Sequence, residues 1–475
     1  MPKNNRSPDG EDGANTYYDS AFFDLVGKKL RPNTQRFAEH IQQTHKLKHC
    51  LDSGWYEYRD SKWEPLSDDD MRLLVKNEIE TKDETNGEDA PKVQIKFADL
   101  KEVVNMIGVE VTEDKFPPMD QDLIPTHNKQ LKWDTQSNDF KEVTPSPDLN
   151  VRHTLPVAHA PDAKCPEFEK VIERILPSED DRKVVQMYLG AALFLLNFTR
   201  KILLFIGEGS AGKSLLALLF SRILGRERVF DLKFEALSEK FAMAALTSEH
   251  SLLSASEAFV KTLCGRGGEW AKRLVGGDEF AVQQKFQNAN LEFSGRYSVI
   301  IVSNNKIRFE FETKGQEWRD RLLPIFFRES IPEAEQDKDL LDKLYTKEGP
   351  GILNWLLEGA RMVRQSNWQI ELTEAQCIDR DNLIAFSDPV KSFVEKFVTA
   401  GFGHFLSHDA YKLYNRLANE RHLPFLEEAK FYRKLHKCMA DMHGATVSTN
   451  LPGHDRNHRF ARGYNSFSLK DFKEQ

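Results

Sequence analysis

The sequence predicts an α/β protein built on a doubly wound sheet, and three observations carry that prediction. Strand-like runs (KILLFIG, VFDLKF, LLSASE, YSVIIVSNN and RLLPIFF) alternate with helical segments from residue 200 to about residue 330. The first run, Lys201–Gly207, is short, apolar and bounded by charge and glycine, which is typical of a buried strand. A glycine-rich loop follows this run and leads into the apolar helix LLALLFSRIL.

Composition limits what the surface can bind. The chain has 475 residues, enough for two to four domains, with 40% hydrophobic and 29% charged residues and a net charge of −8. A protein that binds polyanions over its whole surface would be basic. Any contact with nucleic acid must therefore come from local basic patches.

Cysteine usage and the amino terminus indicate a compartment. The start of the chain is polar and acidic, without an apolar signal segment, and the longest apolar run, Leu189–Phe198, is too short to span a bilayer. The cysteines are odd in number and widely spaced, which favours a reducing cytosol over a disulfide framework: Cys50, Cys165, Cys264, Cys377 and Cys438. We therefore expect a soluble, cytoplasmic protein with no membrane partner.

Patterning divides the chain into five segments. They are a disordered tail, an N-terminal α/β region, a helical segment, the α/β core and a carboxyl-terminal segment, with bounds 1–18, 19–164, 165–199, 200–385 and 386–475.

The N-terminal region mixes strands and helices. Trp55–Trp63 is strand-like, Met71–Ile79 is helical, and the acidic stretch Glu78–Asp89 is predicted to be an exposed loop. Asp68–Asp70 is better explained as a helix N-cap cluster than as a polymerase metal site, so no primer synthesis is predicted.

Helices dominate the rest of the chain outside the core. The runs FEKVIERIL and VVQMYLGAALFLLNF within Cys165–Thr199 have helical periodicity, and Gly351–Ser366 is strongly helical. The last segment has helices followed by two strand-like pieces, Ala445–Thr449 and Asn465–Leu469. Helices that end in a β-hairpin suggest a winged-helix module.

The strongest motif is a phosphate-binding loop of the form G-x-x-x-x-G-K-S. Glycines allow successive backbone N–H groups to turn toward one anion at a helix N-terminus. A lysine charge contacts the β- and γ-phosphates and a serine hydroxyl ligates Mg²⁺, so ATP and Mg²⁺ are the expected cofactors. The predicted nucleotide-binding residues are Gly207, Glu208, Gly209, Ser210, Ala211, Gly212, Lys213, Ser214 and Leu215.

Residues at later strand ends can complete a hydrolytic site. Glu257 follows SLLSAS and can hold Mg²⁺ or polarise the attacking water, although strand-end carboxylates are common. Asn304 ends another strand and can orient water, although Asn is also a favoured turn residue. Arg319 and Arg321 precede the last apolar run and can reach a neighbouring subunit's nucleotide. The alternative for these arginines is a surface salt bridge with Asp320 or Glu317.

Two basic segments are candidate DNA contacts. The run AVQQKFQN after the Gly276–Asp278 turn can form a hairpin that carries Lys285 outward to phosphates, or a solvated hairpin without a ligand. Near the carboxyl end lie YRKLHK (Tyr432–Lys437) and RNHRFARG, whose arginines Arg456, Arg459 and Arg462 would lie on the wing of a winged helix. A basic surface that joins subunits or binds a protein partner is the alternative.

The ordered motifs GEGSAGKS, LLSASE, KRLVGGDEFAVQQKF, VIIVSNN and WRDRLLPIFF resemble those of the superfamily III helicases. The chain is most similar to the phage and plasmid primase-helicase family that also includes the poxvirus primase-helicase. The resemblance covers about residues 95–475, including DLNVRHTLPVAHAPDAKCPEFEKVI. It implies an AAA+ motor with a helical collar at 165–199, assembled as a hexameric ring that translocates 3′ to 5′ on single-stranded DNA.

The resemblance also implies roles for particular residues. Lys213 and Ser214 would contact the nucleotide, Glu257 would be the Walker B acid and Asn304 the polar sensor. The sequence offers Ser256 where other motors place a second acid.

Further roles concern DNA and the neighbouring subunit. Lys272 and Lys285 would belong to the segment that feeds the central DNA hairpin. Arg321 matches the arginine finger best, but the family's paired arginine is interrupted here as Arg319-Asp320-Arg321, so the assignment is open between the two arginines.

The expected function is a replicative DNA helicase that works beside a separate primase or polymerase. One alternative is a replication initiator that remodels duplex origin DNA without processive unwinding. A second alternative is a non-enzymatic DNA-binding protein that only holds nucleotide.

Overall fold

The chain divides into two compact units. The first comprises residues up to Pro125 together with Lys129–Lys132 and Glu142–Thr154, and the second comprises Thr126–Asn128, Trp133–Lys141 and Leu155 onward. The computed structural model describes residues 19, 21–27, 29–86, 91–233, 243, 245–247, 249–256, 258, 263–264, 266–283, 290–309, 316–420, 425–455 and 458–470. The tail predicted at 1–18 lies outside the described residues.

The first unit is a small α/β arrangement. Its four-stranded sheet has the order β5-β4-β3-β6, and the chain continues into three further short strands. Its elements are β1 (Phe23–Val26), β2 (Lys29–Pro32), α1 (Thr34–Thr44), β3 (Leu47–Cys50), β4 (Gly54–Arg59), β5 (Lys62–Leu66), α2 (Asp68–Glu84), α3 (Phe97–Val111), β6 (Thr112–Glu113) and β7 (Leu123–Pro125). The residues of β8 (Gln130–Asp134) and β9 (Asp139–Val143) are divided between the two units. Buried side chains of the three helices pack with Leu47 and Trp55 of the sheet into one core.

Helix α2 confirms one prediction and corrects another. Ser67 caps the helix and forms a capping box with Asp70, so the acidic cluster Asp68–Asp70 occupies the first turn as expected. The exposed loop predicted from Glu78 is wrong as far as Glu84, because these residues continue the helix. Ile79 is fully buried there, and its contacts with the core offset the hydrophilic composition around it.

The second unit contains the predicted parallel sheet. Its strand order is β11-β12-β15-β10-β16, with every neighbouring pair parallel. The elements are α4 (Pro166–Ile175), α5 (Glu179–Ala191), β10 (Ile202–Gly207), α6 (Lys213–Leu224), β11 (Val229–Asp231), β12 (Leu252–Ala255), α7 (Arg266–Gly276), β13 (Glu279–Gln283), β14 (Asn290–Ser294), β15 (Ser298–Ser303), α8 (Gln316–Arg319), β16 (Leu322–Phe327), α9 (Leu340–Gln365) and α10 (Glu374–Ser387). Helix α6 lies between β10 and β11, α7 between β12 and β15, and α8 between β15 and β16, so strands and helices alternate over much of the described core.

Two helices differ in length from their predictions. Helix α5 ends at Ala191, whereas the apolar pattern continues to Phe198. Two residues beyond the helix end, the carbonyl oxygen of Leu193 accepts a hydrogen bond from the buried guanidinium of Arg228, at 2.8 Å. Helix α9 is longer than predicted and begins before its internal Pro350.

The carboxyl-terminal part of this unit has its own core. Its elements are α11 (Pro389–Phe397), β17 (Val398–Leu406), α12 (Ser407–Glu420), α13 (Glu428–His443), β18 (Ser448–Asp455) and β19 (His458–Leu469). Strands β18 and β19 form an antiparallel pair near the two predicted strand-like pieces. The predicted piece Asn465–Leu469 pairs, however, with β17, which was not predicted, and residues 445–447 precede β18. In the described part of the chain, no helix has the length and apolar character needed to cross a membrane.

A candidate nucleotide-binding site

The phosphate-binding loop joins β10 to α6, as the motif requires. Gly212 precedes the first turn of α6 with φ +88°, and Ser210 also has a positive φ of +58°. These left-handed residues turn backbone N–H groups toward one side of the loop, which forms an anion nest at a helix N-terminus. A Cβ on Gly212 would lie 2.9 Å from Cγ2 of Ile175, so this position needs glycine for space as well as for its backbone angle.

Lys213 is held inside the loop. Its side chain is almost fully buried, and its Nζ donates to the carbonyl oxygen of Glu208 at 2.5 Å. Burial lowers the pKa of Lys213, because removal of the ammonium from water disfavours its charged form. An anionic ligand beside this ammonium would stabilise its charge in place of the water that burial removes. The loop is therefore electrostatically suited to phosphate.

A cavity of about 390 Å³ opens beside this loop. Residues from Gly209 to Leu215 and the side chain of Asn304 line it, whereas Gly207 and Glu208 lie just before it at the strand end. The volume lies within the usual range for small-ligand sites. The structure therefore brings most of the predicted nucleotide-binding residues together around one cavity.

Helix α4 forms a wall of this cavity that the sequence did not reveal. Val171, Arg174 and Ile175 face the cavity, although residues 165–199 were predicted to form a separate helical collar. Their periodicity marks an amphipathic helix, but a pattern of that kind does not identify which cavity the helix closes.

The chain after β16 closes the site from another side. Ser330 Oγ donates to the carbonyl oxygen of Gly209 at 2.9 Å, and the backbone N–H of Ile331 donates to that of Ser210 at 3.0 Å. These two bonds fix the phosphate loop from outside its own motif.

Apolar side chains form part of the cavity wall. Ile331 and Leu340 face it together with Val171 and Ile175, while Arg174 pairs with Glu335 among the polar residues. The cavity thus combines an anion-binding loop with an apolar surface that suits a planar base.

Asn304 lies where the predicted sensor should lie. It follows β15, which pairs with the phosphate-loop strand so that Ser303 is opposite Ile206. Ser303 Oγ donates to the carbonyl oxygens of Ala258 and Asn305, at 2.8 and 2.9 Å, and fixes the strand end.

The candidate acid lies outside the described residues. Strand β12 ends at Ala255 and pairs in parallel with β15, so its carboxyl end lies at the same edge of the sheet as the end of β15. That edge is where parallel α/β sheets bind ligands.

Arg319 and Arg321 lie at the opposite end of the sheet. Both precede β16, and Ile202 at the start of β10 donates its N–H to the carbonyl of Arg321. Six strand residues separate this edge from the phosphate loop, a distance of about 20 Å. Neither guanidinium can reach the cavity of its own chain.

The two arginines have different surroundings. Arg319 Nε lies 3.3 Å from Asp381 of α10, and the carbonyl of Arg319 accepts from Arg380. Arg321 donates from NH1 to the carbonyl of Glu317 at 2.9 Å, and its buried Nε has no hydrogen-bond partner among the described residues.

The predicted DNA-binding residues are only partly described. Strands β13 and β14 form an antiparallel hairpin as expected, but Lys285 falls between them, outside the described residues. Lys272 lies on α7 with its Nζ 5.8 Å from the ring centre of Trp318. Of the carboxyl-terminal arginines, Arg462 is exposed on β19, and neither Arg456 nor the side chain of Arg459 is described.

Comparisons with known proteins support part of the resemblance. Residues 34–177 match the family described as D5 N terminal like, the N-terminal region of a primase-helicase family. This match is less than half of the chain, and it includes the whole of α4.

Solved structures share the fold at low sequence identity. Two apo structures of the C-terminal region of NrS-1 align with a TM-score of 0.50, at 11% and 10% identity, over 90% of this chain and 98% of theirs. At this sequence identity the similarity is one of fold, which is a mixed α/β arrangement with a parallel sheet and helices.

Proposed function

We propose that this protein is an ATP-dependent replicative DNA helicase of a phage, plasmid or other mobile element. The observation that carries the proposal is the phosphate loop with buried Lys213, which opens on a nucleotide-sized cavity lined by Asn304. The match to a D5-type N-terminal region supports a role in replication. Translocation from 3′ to 5′ on single-stranded DNA follows from the resemblance of the motifs.

The residues around the cavity fit MgATP. The anion nest and Lys213 would hold the β- and γ-phosphates, and the apolar wall of Val171, Ile175 and Ile331 would contact the base. Ser214 and Glu257 would hold Mg²⁺, which neutralises charge on the phosphates. Asn304 would orient the attacking water toward the γ-phosphate.

The arginine finger must act on a neighbouring chain. Arg321 lies at the sheet edge opposite its own phosphate loop, so only a head-to-tail neighbour could bring it to a nucleotide. A closed ring, a homo-hexamer by resemblance, supplies such neighbours. Lys272 and Lys285 would direct single-stranded DNA through that ring, and a separate primase or polymerase would complete replication.

The first test is ATP hydrolysis with and without single-stranded DNA, in the wild type and in Lys213→Ala. A DNA-coupled motor predicts strong stimulation by DNA that disappears in the variant. Hydrolysis that depends on Lys213 but is not stimulated by DNA would favour the replication initiator. A strand-displacement assay on forked DNA longer than one ring footprint would then distinguish the initiator from a helicase. If an assembled ring bound nucleotide without hydrolysing it, both the helicase and the initiator would be excluded. The non-enzymatic DNA-binding protein that only holds nucleotide would then be the remaining alternative.

A further inference from the structure

The outward side of α13 is strongly basic. Lys430, Arg433, Lys434 and Lys437 lie within about 100° of arc around the helix axis. The opposite side is fully buried in the carboxyl-terminal core through three residues: Phe431, Leu435 and Met439. The basic face is therefore fixed in orientation by the core beneath it.

Most of these basic residues form no ion pair with another described residue of the chain. Lys434 lies 3.5 Å from Asp388, but Lys430, Arg433 and Lys437 are exposed and form no ion pair among the described residues. A cluster of three such cations on one helix is notable in a chain whose net charge is −8. Mutual repulsion makes the cluster unfavourable unless it meets an anion.

The two acidic residues of α13 do not neutralise this basic cluster. Glu428 lies at the start of the helix, where the Tyr432 hydroxyl donates to it and His408 lies 3.5 Å away. Asp441 lies beyond Lys437 near the end of the helix. Neither carboxylate is paired with the three exposed cations in the described part of the structure.

Strand β19 adds another exposed cation nearby. The ring of Tyr464 on β19 lies 6.1 Å from the ring of His436 on α13, which places β19 and its exposed Arg462 against this helix. Burial, with a smaller contribution from the charge of Arg462, lowers the pKa of His436. His436 stacks on Tyr432 with ring centres 6.4 Å apart and an interplanar angle of 8°, so the interior side of this region is packed.

The geometry suits a duplex more than a single strand. Lys430 and Lys437 are separated by a rise of about 10 Å along a straight helix, comparable with the major-groove width of about 12 Å. The cations point outward from a rigid rod, and the basic face itself carries no aromatic ring. Sites for single strands usually stack bases on aromatic side chains, which this face lacks.

We propose that the outward face of α13, with Arg462 beside it, binds the phosphates of double-stranded DNA at a site separate from the ATP cavity. Contacts made through phosphates position a protein on duplex without reading its sequence. The site acts without nucleotide and does not rest on the proposed ATPase function.

The test uses the full chain with Lys430, Arg433 and Lys437 replaced together by alanine. Binding to a 30-base-pair duplex without nucleotide should weaken at least tenfold at 0.1 M salt. The slope of log affinity against log salt should become shallower by about 2.7, since each lost phosphate contact removes about 0.9. The matched control replaces the exposed Lys164, Lys170 and Lys347, which changes net charge equally and should leave both quantities unchanged.

Two further arms keep the test decisive. The charge-retaining variant with Lys430→Arg, Arg433→Lys and Lys437→Arg should bind duplex like the wild type, which excludes a folding defect in the site. Unchanged duplex binding by the alanine variant would overturn the proposal, as would a loss confined to single-stranded DNA. ATP hydrolysis is measured separately, so inactivity there would contradict the helicase proposal and not this one.

Discussion

Gly212 is where the phosphate loop is most tightly constrained. Its φ of +88° is unfavourable for an L side chain, and an added Cβ would lie within 3.3 Å of three carbon atoms of Ile175. We expect Gly212→Ala to weaken ATP binding at least tenfold, because either the nest or α4 must shift. Titration with a fluorescent ATP analogue measures this change.

Gly209 in the same loop provides the control. A Cβ built there meets no atom within 4 Å, so Gly209→Ala should bind nucleotide within a few-fold of the wild type. Equal losses in the two variants would contradict the role given to Ile175 and would mean that the loop tolerates no side chain at either glycine.

Single residues also show the reach of sequence reasoning. The roles proposed for Lys213 and Ser214 were predictable because the phosphate loop is contiguous in sequence. Ser330, which donates to Gly209 from 121 residues away, was not predictable, since a lone serine after a strand has no periodicity or spacing that marks it. The sequence left the finger open between Arg319 and Arg321, and our proposal takes Arg321 because Arg319 pairs with Asp381.

At the scale of elements, the crossing of α5 and α9 depends on two glycines. A Cβ on Gly359 would lie 2.0 Å from the carbonyl oxygen of Gln186, and one on Gly190 would lie 2.1 Å from the backbone nitrogen of Ala360. Such close backbone approach leaves no room for a methyl group. We expect Gly359→Ala to destabilise the second unit by about 1–3 kcal/mol, as overpacking does, and thermal unfolding would show it.

The matched control is Gly108→Ala in α3. Its added Cβ would meet the Trp55 ring at 3.6 Å, an ordinary contact, so the gain in helix propensity of about 1 kcal/mol should dominate. If Gly359→Ala raised the thermal stability, α5 and α9 could move apart without a loss of stability, which would contradict the close packing of the two helices.

Elements were predicted best where one strong pattern acts alone. The apolar runs of β10 and β15 were correct because strands covered on both faces need continuous hydrophobic sequence. The end of α2, residues 80–84, was missed because its charged composition resembles a loop. Strand β17 was missed because its pairing with β19 joins residues about 60 positions apart.

At the scale of the whole molecule, the candidate site is assembled from distant parts of the second unit. Helix α4, the phosphate loop, the end of β15 and the chain after β16 all contribute to one cavity. Local motifs located the loop and the strand ends, but α4 was assigned to a collar because tertiary closure leaves no local signal. Arg321, the proposed finger, lies at a different edge of the sheet, so in our proposal it acts on a neighbouring chain.

That separation makes an assembly-level prediction. Lys213→Ala removes the phosphate-binding charge and Arg321→Ala removes the finger, so each variant alone should hydrolyse ATP roughly a thousandfold more slowly or worse. When the two are mixed in equal amounts before ring assembly, about a quarter of the interfaces pair an intact loop with an intact finger. Steady-state hydrolysis should therefore recover to a measurable fraction of the wild-type rate.

The control mixture combines the Lys213→Ala chain with a chain that carries both Lys213→Ala and Arg321→Ala. No interface in this second mixture has an intact phosphate loop, so no recovery is expected, although ring assembly and total protein are matched. If the first mixture also stayed inactive while sedimentation showed mixed rings, Arg321 would not act across subunits. The finger would then have to be sought elsewhere, because the strand length between Arg321 and its own phosphate loop excludes action within one chain.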